Sequence, residues 1–194
     1  MRSARKIRFG WERFVIDSGS QIAEFAVSLP LLVVFAVGIF DFGAAFTLRQ
    51  KLSSAAQEHA IVASNESTRD LDNAGPQSVI DIRDSIFDYL AGQKVLPRAN
   101  TGSCTPGSAA VTHAGGSLIW RFTISGCPDA LVITIDRGNI VVEPSTTEKI
   151  VSTQVTVTYP HRWQFSKVIG FLAPGAVYAG TTTLTGEATS PNQL

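Results

Sequence analysis

Three hydrophobic periodicities succeed one another along the chain. From Phe25 through Phe40 run 16 consecutive uncharged residues, FAVSLPLLVVFAVGIF, and after Asp41 the apolar character resumes as far as Leu48. At about 1.5 Å per residue, Phe25 to Leu48 makes a helix of roughly 36 Å, enough for a hydrocarbon core of about 30 Å. Pro30 removes one backbone hydrogen bond and predicts a bend, and Gly38 weakens the helix, yet both are tolerated better in a membrane helix than in a soluble one. Leu48, Leu52, Ala55, His59 and Val62 then recur at helical spacing, so the same helix is expected to continue to about Ser67.

Asn73-Ala74-Gly75-Pro76 breaks that pattern, and a second helix is predicted from about Pro76 to Ala91, with Val79, Ile82, Ile86 and Leu90 on one face. Residues Gly92 to Gly116, dominated by Gly, Pro, Ser, Thr and Ala, read as a connecting loop. From Ser117 the period becomes two. Leu118, Trp120, Phe122 and Ile124 form one strand face, and Leu131, Ile133 and Ile135 repeat the pattern. Asp136-Arg137-Gly138-Asn139 supplies turn chemistry before a short hairpin arm, Ile140 to Glu143. Val151, Thr153, Val155, Val157 and Tyr159 alternate in a further strand that Pro160 is expected to end. His161 to Leu172 reads as a short helix or covering loop, and Ala176 to Thr189 as a last, threonine-rich strand. Ser152, Gln154, Thr156 and Thr158 are placed on the solvated face. The order predicts an α+β fold: one N-terminal membrane helix extended outward and packed on an antiparallel sheet of about four strands.

Composition and charge refine this picture. Sixteen Lys+Arg balance sixteen Asp+Glu, so no global charge draws the chain to nucleic acid, and a hydrophobic content of 44% excludes a disordered chain. Arg2, Arg5, Lys6, Arg8 and Arg13 precede the apolar block, opposed by Glu12 and Asp17, against Arg49 and Lys51 on the far flank. The positive-inside rule therefore puts the N-terminus in the cytoplasm. The expected division is a basic leader, 1–21, a transmembrane helix, 22–48, and an extracytoplasmic α+β domain, 49–194. Ile7, Trp11, Phe14 and Val15 fall on one helical stripe of the leader, as in a helix lying on anionic lipid; a disordered basic leader is the alternative.

Two acids mark the apolar block. Glu24 opens it and Asp41 interrupts it, although an ionised acid at the bilayer centre costs about 2.5 to 3.5 kcal/mol. Each has an unremarkable explanation at a headgroup layer: Glu24 at the inner one, Asp41 at the outer. The apolar block is too long for a cleaved secretory signal, which leaves a plain signal anchor or something more specialised. The run Gly19, Ala23-Glu24-Phe25-Ala26, Leu29-Pro30-Leu31-Leu32 and Gly38-Ile39-Phe40-Asp41-Phe42-Gly43 resembles the TadE-like family of pseudopilins, and Gly19-Ser20 resembles the processing site of type IV pilin-like proteins.

That resemblance implies cleavage after Gly19 by a prepilin peptidase, with Ser20 the first mature residue and Glu24 the fifth. Glu24 and Phe25 would then serve helix assembly, Glu24 neutralising the new ammonium of a neighbouring subunit as both enter an apolar bundle. It further implies a pilin-like domain at the bacterial inner membrane, working in assembly of the tight-adherence (Tad, or Flp) pilus or a related secretion system. The implied partners are the major pilin, sister pseudopilins and the inner-membrane platform, besides membrane lipid. Members of the family often carry basic residues directly before the glycine, whereas this chain has Asp17-Ser18. An uncleaved, TadG-like anchored scaffold or periplasmic binding protein is the alternative, and an aromatic pocket near Trp120, Trp163 and Tyr178 would favour it.

Cys104 and Cys127 flank the first predicted strand and are expected to pair in an oxidising compartment, closing a loop of about 24 residues worth roughly 3 kcal/mol; a free thiol pair is the alternative. His59 is read as a helix-packing residue, since no second ligand stands at i+3 or i+4. His161-Arg162-Trp163 offers stacking and charge, against the simpler reading of a partly buried tryptophan with a polar neighbour. With no phosphate-binding Gly-x4-Gly-Lys-Ser/Thr loop, no His-Glu-x-x-His and no Gly-x-Ser-x-Gly, the sequence predicts neither catalytic residues, metal nor cofactor, and a structural protein in place of an enzyme.

Overall fold

The structure is a computed structural model that describes residues 17–73, 75–96, 104–142, 147–165, 167 and 180–193, with residues 17–20 described by backbone alone. The basic leader stripe, Tyr178 and much of the expected 161–172 cover lie outside these residues. Helix α1 (Asp17–Asn65) runs through Pro30 without interruption, and α2 (Gln77–Gly92) follows. A 3-10 turn (Pro106–Ser108) leads into β1 (Ala110–His113), β2 (Ile119–Cys127), β3 (Asp129–Val142), β4 (Lys149–Arg162) and β5 (Thr181–Pro191). The strands form one antiparallel meander in the order β1-β2-β3-β4-β5. The fold is α+β, as expected, with five strands in its antiparallel sheet.

Period-two burial makes the core. Trp120, Phe122 and Ile124 of β2, Leu131, Ile133 and Ile135 of β3, and Val155, Val157 and Tyr159 of β4 all point to one face and are buried. The helices close that face. α1 packs on β4 and β5, while α2 presents Val79, Ile82, Ile86 and Leu90 to the core and lays the Arg83 guanidinium over the Phe122 ring. Both cysteines are buried in a disulfide, Cys104–Cys127, that ties the segment before β1 to the end of β2.

Four expectations are corrected here. The loop expected over Gly92–Gly116 contains β1, a short edge strand exposed along most of its length and therefore without an apolar signature. Asp136–Asn139 is a bulge inside one continuous strand, not a hairpin turn: Asp136 accepts the Gly138 N–H at 2.9 Å, and the chain then resumes its pairing with β4. β4 passes through Pro160. Its ladder with β3 reaches only Thr158, so from there the strand has β5 alone as a neighbour and a missing N–H is tolerated. Ser152 is buried, its hydroxyl donating to the Asn139 carbonyl, and is not on the solvated face.

α2 begins without a capping side chain of its own, since Pro76 stands at the N-cap. Asp70, eight residues upstream, supplies the cap by accepting the Ser78 N–H and hydroxyl, both at 2.8 Å. His59 joins the two helices: Nδ1 donates to the Ala55 carbonyl at 2.8 Å, and Nε2 is hydrogen-bonded to the Ser85 hydroxyl at 3.0 Å. Both ring nitrogens are thereby used in packing.

Candidate functional site

The chemistry of this molecule is concentrated on α1, which the rest of the chain grips along one face. Three fasteners sit at Asp41, Leu52 and Ala63, eleven residues apart. Eleven residues are close to three helical turns, so all three lie on one stripe, each about 17 Å from the next. At the middle position β5 carries Gly186, where the strand meets the Leu52 and Ser53 backbone directly. At the far end Arg137, thrust inward by the β3 bulge, donates to the Ala63 carbonyl and, at 2.8 Å, to the Glu66 carbonyl. Both carbonyls lie at the helix C-terminus, where a cation is favourable; that of Ala63 also accepts the Glu66 N–H at 3.2 Å. Burial draws the Arg137 guanidinium below its ordinary pKa, and the charges of Glu66 and Asp70 oppose that. Ser190 and Gln193 add hydrogen bonds to Ser64 at 3.0 and 3.2 Å.

The first fastener is the one nearest the apolar end. Asp41 is only 5% exposed, in a stretch whose neighbours Phe40 and Phe42 are wide open. One carboxylate oxygen accepts the Phe165 N–H at 2.8 Å, and the other lies 3.4 Å from Nε2 of His161. Around this pair a collar folds down on the helix. Trp163 packs against Phe42, with ring centroids 5.1 Å apart, and donates its indole N–H to the Thr182 hydroxyl at 2.6 Å. His161 stands edge-on to Trp163 at 4.8 Å. Arg162 is held away from the helix in a two-pronged pair with Asp129, at 2.5 and 2.8 Å. That pair lowers the Asp129 pKa, chiefly through the hydrogen bonds and further through the arginine's charge.

Below the collar the helix is bare. From Ile22 to Phe35 the large apolar side chains are mostly exposed, Val27 at 78% and Phe25 at 61%. α1 is long and apolar enough to cross a membrane, and its most apolar stretch is nowhere buried against the rest of the chain. Residues 19–60 match the model of a family described as TadE-like protein. The match is confined to the anchor helix, α1. No curated protein and no solved structure matches the chain.

The matched segment thus holds the bare apolar stretch, the collar fastener and the first part of the gripped stripe. The residues singled out in the sequence fall in different places on it. Gly19 and Ser20 lie in the first turns of α1; Glu24 and Phe25 are exposed on its bare stretch; Asp41 is enclosed by the collar. Trp120 and Trp163 do not share a pocket: Trp120 is fully buried in the sheet with His113 stacked on it at 4.9 Å, and Trp163 is on the helix. Among the described residues no three His, Cys, Asp or Glu side chains are grouped as a metal site. Sequence reasoning missed Asp70, Arg137 and Gly186, whose roles depend on partners far along the chain. For Arg137 there was one signal, a cation inside a run of turn residues between two apolar segments.

Proposed function

We propose that the chain is a minor pseudopilin, a structural assembly component of a Tad-type (Flp) pilus or a related secretion system, and not an enzyme. The observation that carries this reading is the coincidence of the TadE-like match, residues 19–60, with a helix whose apolar N-terminal stretch finds no cover in its own domain. Such a surface is satisfied by lipid and, on assembly, by the helices of other subunits. The basic leader puts the N-terminus in the cytoplasm and the sheet domain in the periplasm. A prepilin peptidase would cut between Gly19 and Ser20, and Glu24 would set helix register by pairing with a neighbour's new ammonium. The major pilin, sister pseudopilins and the membrane platform are the partners this role requires.

One observation favours the uncleaved, TadG-like alternative. α1 begins at Asp17, so the Gly19–Ser20 bond is helical, and a peptidase that binds extended backbone must first unwind that turn. Intact mass of membrane-extracted protein, with and without the peptidase, separates the two. A mature N-terminus at Ser20 that disappears in Gly19→Ala supports the pseudopilin. An unchanged full-length mass in both strains refutes processing.

A further inference from the structure

Between α1 and the turn that ends α2 runs an open groove of about 570 Å³. Its lower walls are Ile39, Phe40, Gly43 and Ala44, without a charge among them; its upper end carries Lys51 and Lys94, and among the described residues no carboxylate lines it. Lys51 Nζ donates to the Gln93 carbonyl at 2.7 Å, which sets its ammonium beside the chain neighbour of Lys94. One of three N–H donors is used there, leaving two. Lys94 itself has φ 57°, in the left-handed region where glycine is the usual residue after a helix. A lysine in that conformation is strained, and such strain gathers at functional positions.

Depth along α1 gives the groove its meaning. Counted from Glu24 at the inner edge, α1 reaches the collar at Asp41 after about 26 Å and Ala44 after about 30 Å, so the hydrocarbon core ends at the collar, between these two residues. The headgroup layer above occupies another four or five, so Lys51 stands at its top with a side chain able to reach down. The groove therefore begins inside the acyl region and ends in cations at phosphate level.

We propose that this groove holds one anionic phospholipid of the outer leaflet, its phosphodiester between Lys51 and Lys94 and an acyl chain along Ile39, Phe40 and the small residues Gly43 and Ala44. A second copy of α1 running parallel is a poor occupant, since at this depth it presents Arg49 and Lys51, like charges, to the two lysines. The inference rests on α1 crossing a membrane and is independent of the pilus reading.

The test uses the full chain in vesicles of mixed phosphatidylcholine and phosphatidylglycerol, extracted gently and weighed by native mass spectrometry. One phosphatidylglycerol is expected to stay bound in preference to phosphatidylcholine. Lys51→Gln with Lys94→Gln should weaken that retention about 25-fold, each cation being worth roughly fivefold at an anionic surface. The double arginine variant should keep it. Equal retention of the two lipids, or a glutamine variant within about threefold of wild type, would overturn the site. A photo-cross-linker at Thr47 should label phosphatidylglycerol, and labelling of a second copy instead would assign the groove to a neighbouring helix. Chain that fails to float with the vesicles sinks the membrane-spanning premise itself, whereas floating chain without lipid preference sinks only the lipid site.

Discussion

At Gly186 the sheet meets the α1 backbone with no side chain between, and alanine there is a direct probe of how the anchor is held. Gly186 faces Val157 across the β4–β5 ladder and is buried. A Cβ on it would lie within 3.0 Å of the Leu52 carbonyl and the Ser53 nitrogen, closer than such atoms come in real proteins. Both obstacles are backbone, so no side-chain rotation relieves them. The helix must instead retreat until ordinary contact at about 3.4 Å is restored. The retreat opens the core around Leu52, Ala55 and Ala56, none of which has any exposure. Overpacking of this kind costs about 1–3 kcal/mol, and backbone against backbone belongs at the upper end. The reduced freedom of alanine in the unfolded chain returns about 0.4–1 kcal/mol. The expected net loss is about 2 kcal/mol, a drop in Tm of about 4–8 °C for a chain of this size. Thermal unfolding of the full chain in detergent micelles, followed by near-ultraviolet dichroism from the buried Trp120, reads it. Gly115→Ala, where an added Cβ meets nothing within 4 Å, should stay within about 0.5 kcal/mol of wild type. If Gly186→Ala melts with wild type, the helix is not seated on β5 as described.

Three further outcomes follow from the other contacts. Asp41→Ala leaves the Phe165 N–H without its acceptor and should cost about 1–3 kcal/mol; Asp41→Asn, which keeps an acceptor oxygen, should recover most of it, and equal melting of the two variants would show that the collar bond contributes nothing. Arg137→Met removes the cation from the Ala63 and Glu66 carbonyls while keeping bulk, with an expected loss of about 1.5–3 kcal/mol per charged hydrogen bond and early amide exchange in the last turn of α1; unchanged exchange there would refute the capping role. Asp70 and Asp129 are both held below the ordinary carboxyl pKa of 3.8, Asp70 chiefly by the Ser78 N–H and Asp129 chiefly by the Arg162 hydrogen bonds. Their folded forms favour the ionised state, so their contribution is present above pH about 4 and is lost as pH falls through the folded values. Denaturant midpoints against pH should decline below about 4, and Asp70→Ala should flatten that decline besides costing about 1 kcal/mol at neutral pH; an unaltered slope in the variant would count against the cap.

Much of this fold is legible in the residues because burial imposes a period. The 3.6-residue recurrence of Leu52, Ala55 and His59, and the alternation of Trp120, Phe122 and Ile124, arise from the one core face that the structure displays. β1 was illegible for the converse reason. Its four residues are an edge exposed almost throughout, so no face selects apolar side chains. Asp136–Asn139 misleads for a subtler one: an aspartate bonding the N–H two residues on serves a turn and a bulge equally, and only the distant helix end that receives Arg137 decides between them. Asp41 shows the same limit. Its identity as an acid in an apolar run is plain from the sequence, but His161 and Phe165, which enclose it, come 120 and 124 residues later.

The spacing of the fasteners carries a mechanical consequence for the proposed role. From Asp41 to Ala63 the helix is pinned at both ends and in the middle over about 33 Å, so the sheet domain and the outer half of α1 move together. A force on the domain is then delivered to the bare stretch 22–40 as a pull along the helix axis, not as a hinge at its exit. An anchor that merely tethers a domain has no need of such coupling, and a flexible linker would serve it better. A subunit that must be drawn from lipid into a helical assembly does need it, because the work of moving apolar side chains between the two environments has to reach Glu24 and Phe25 undiminished.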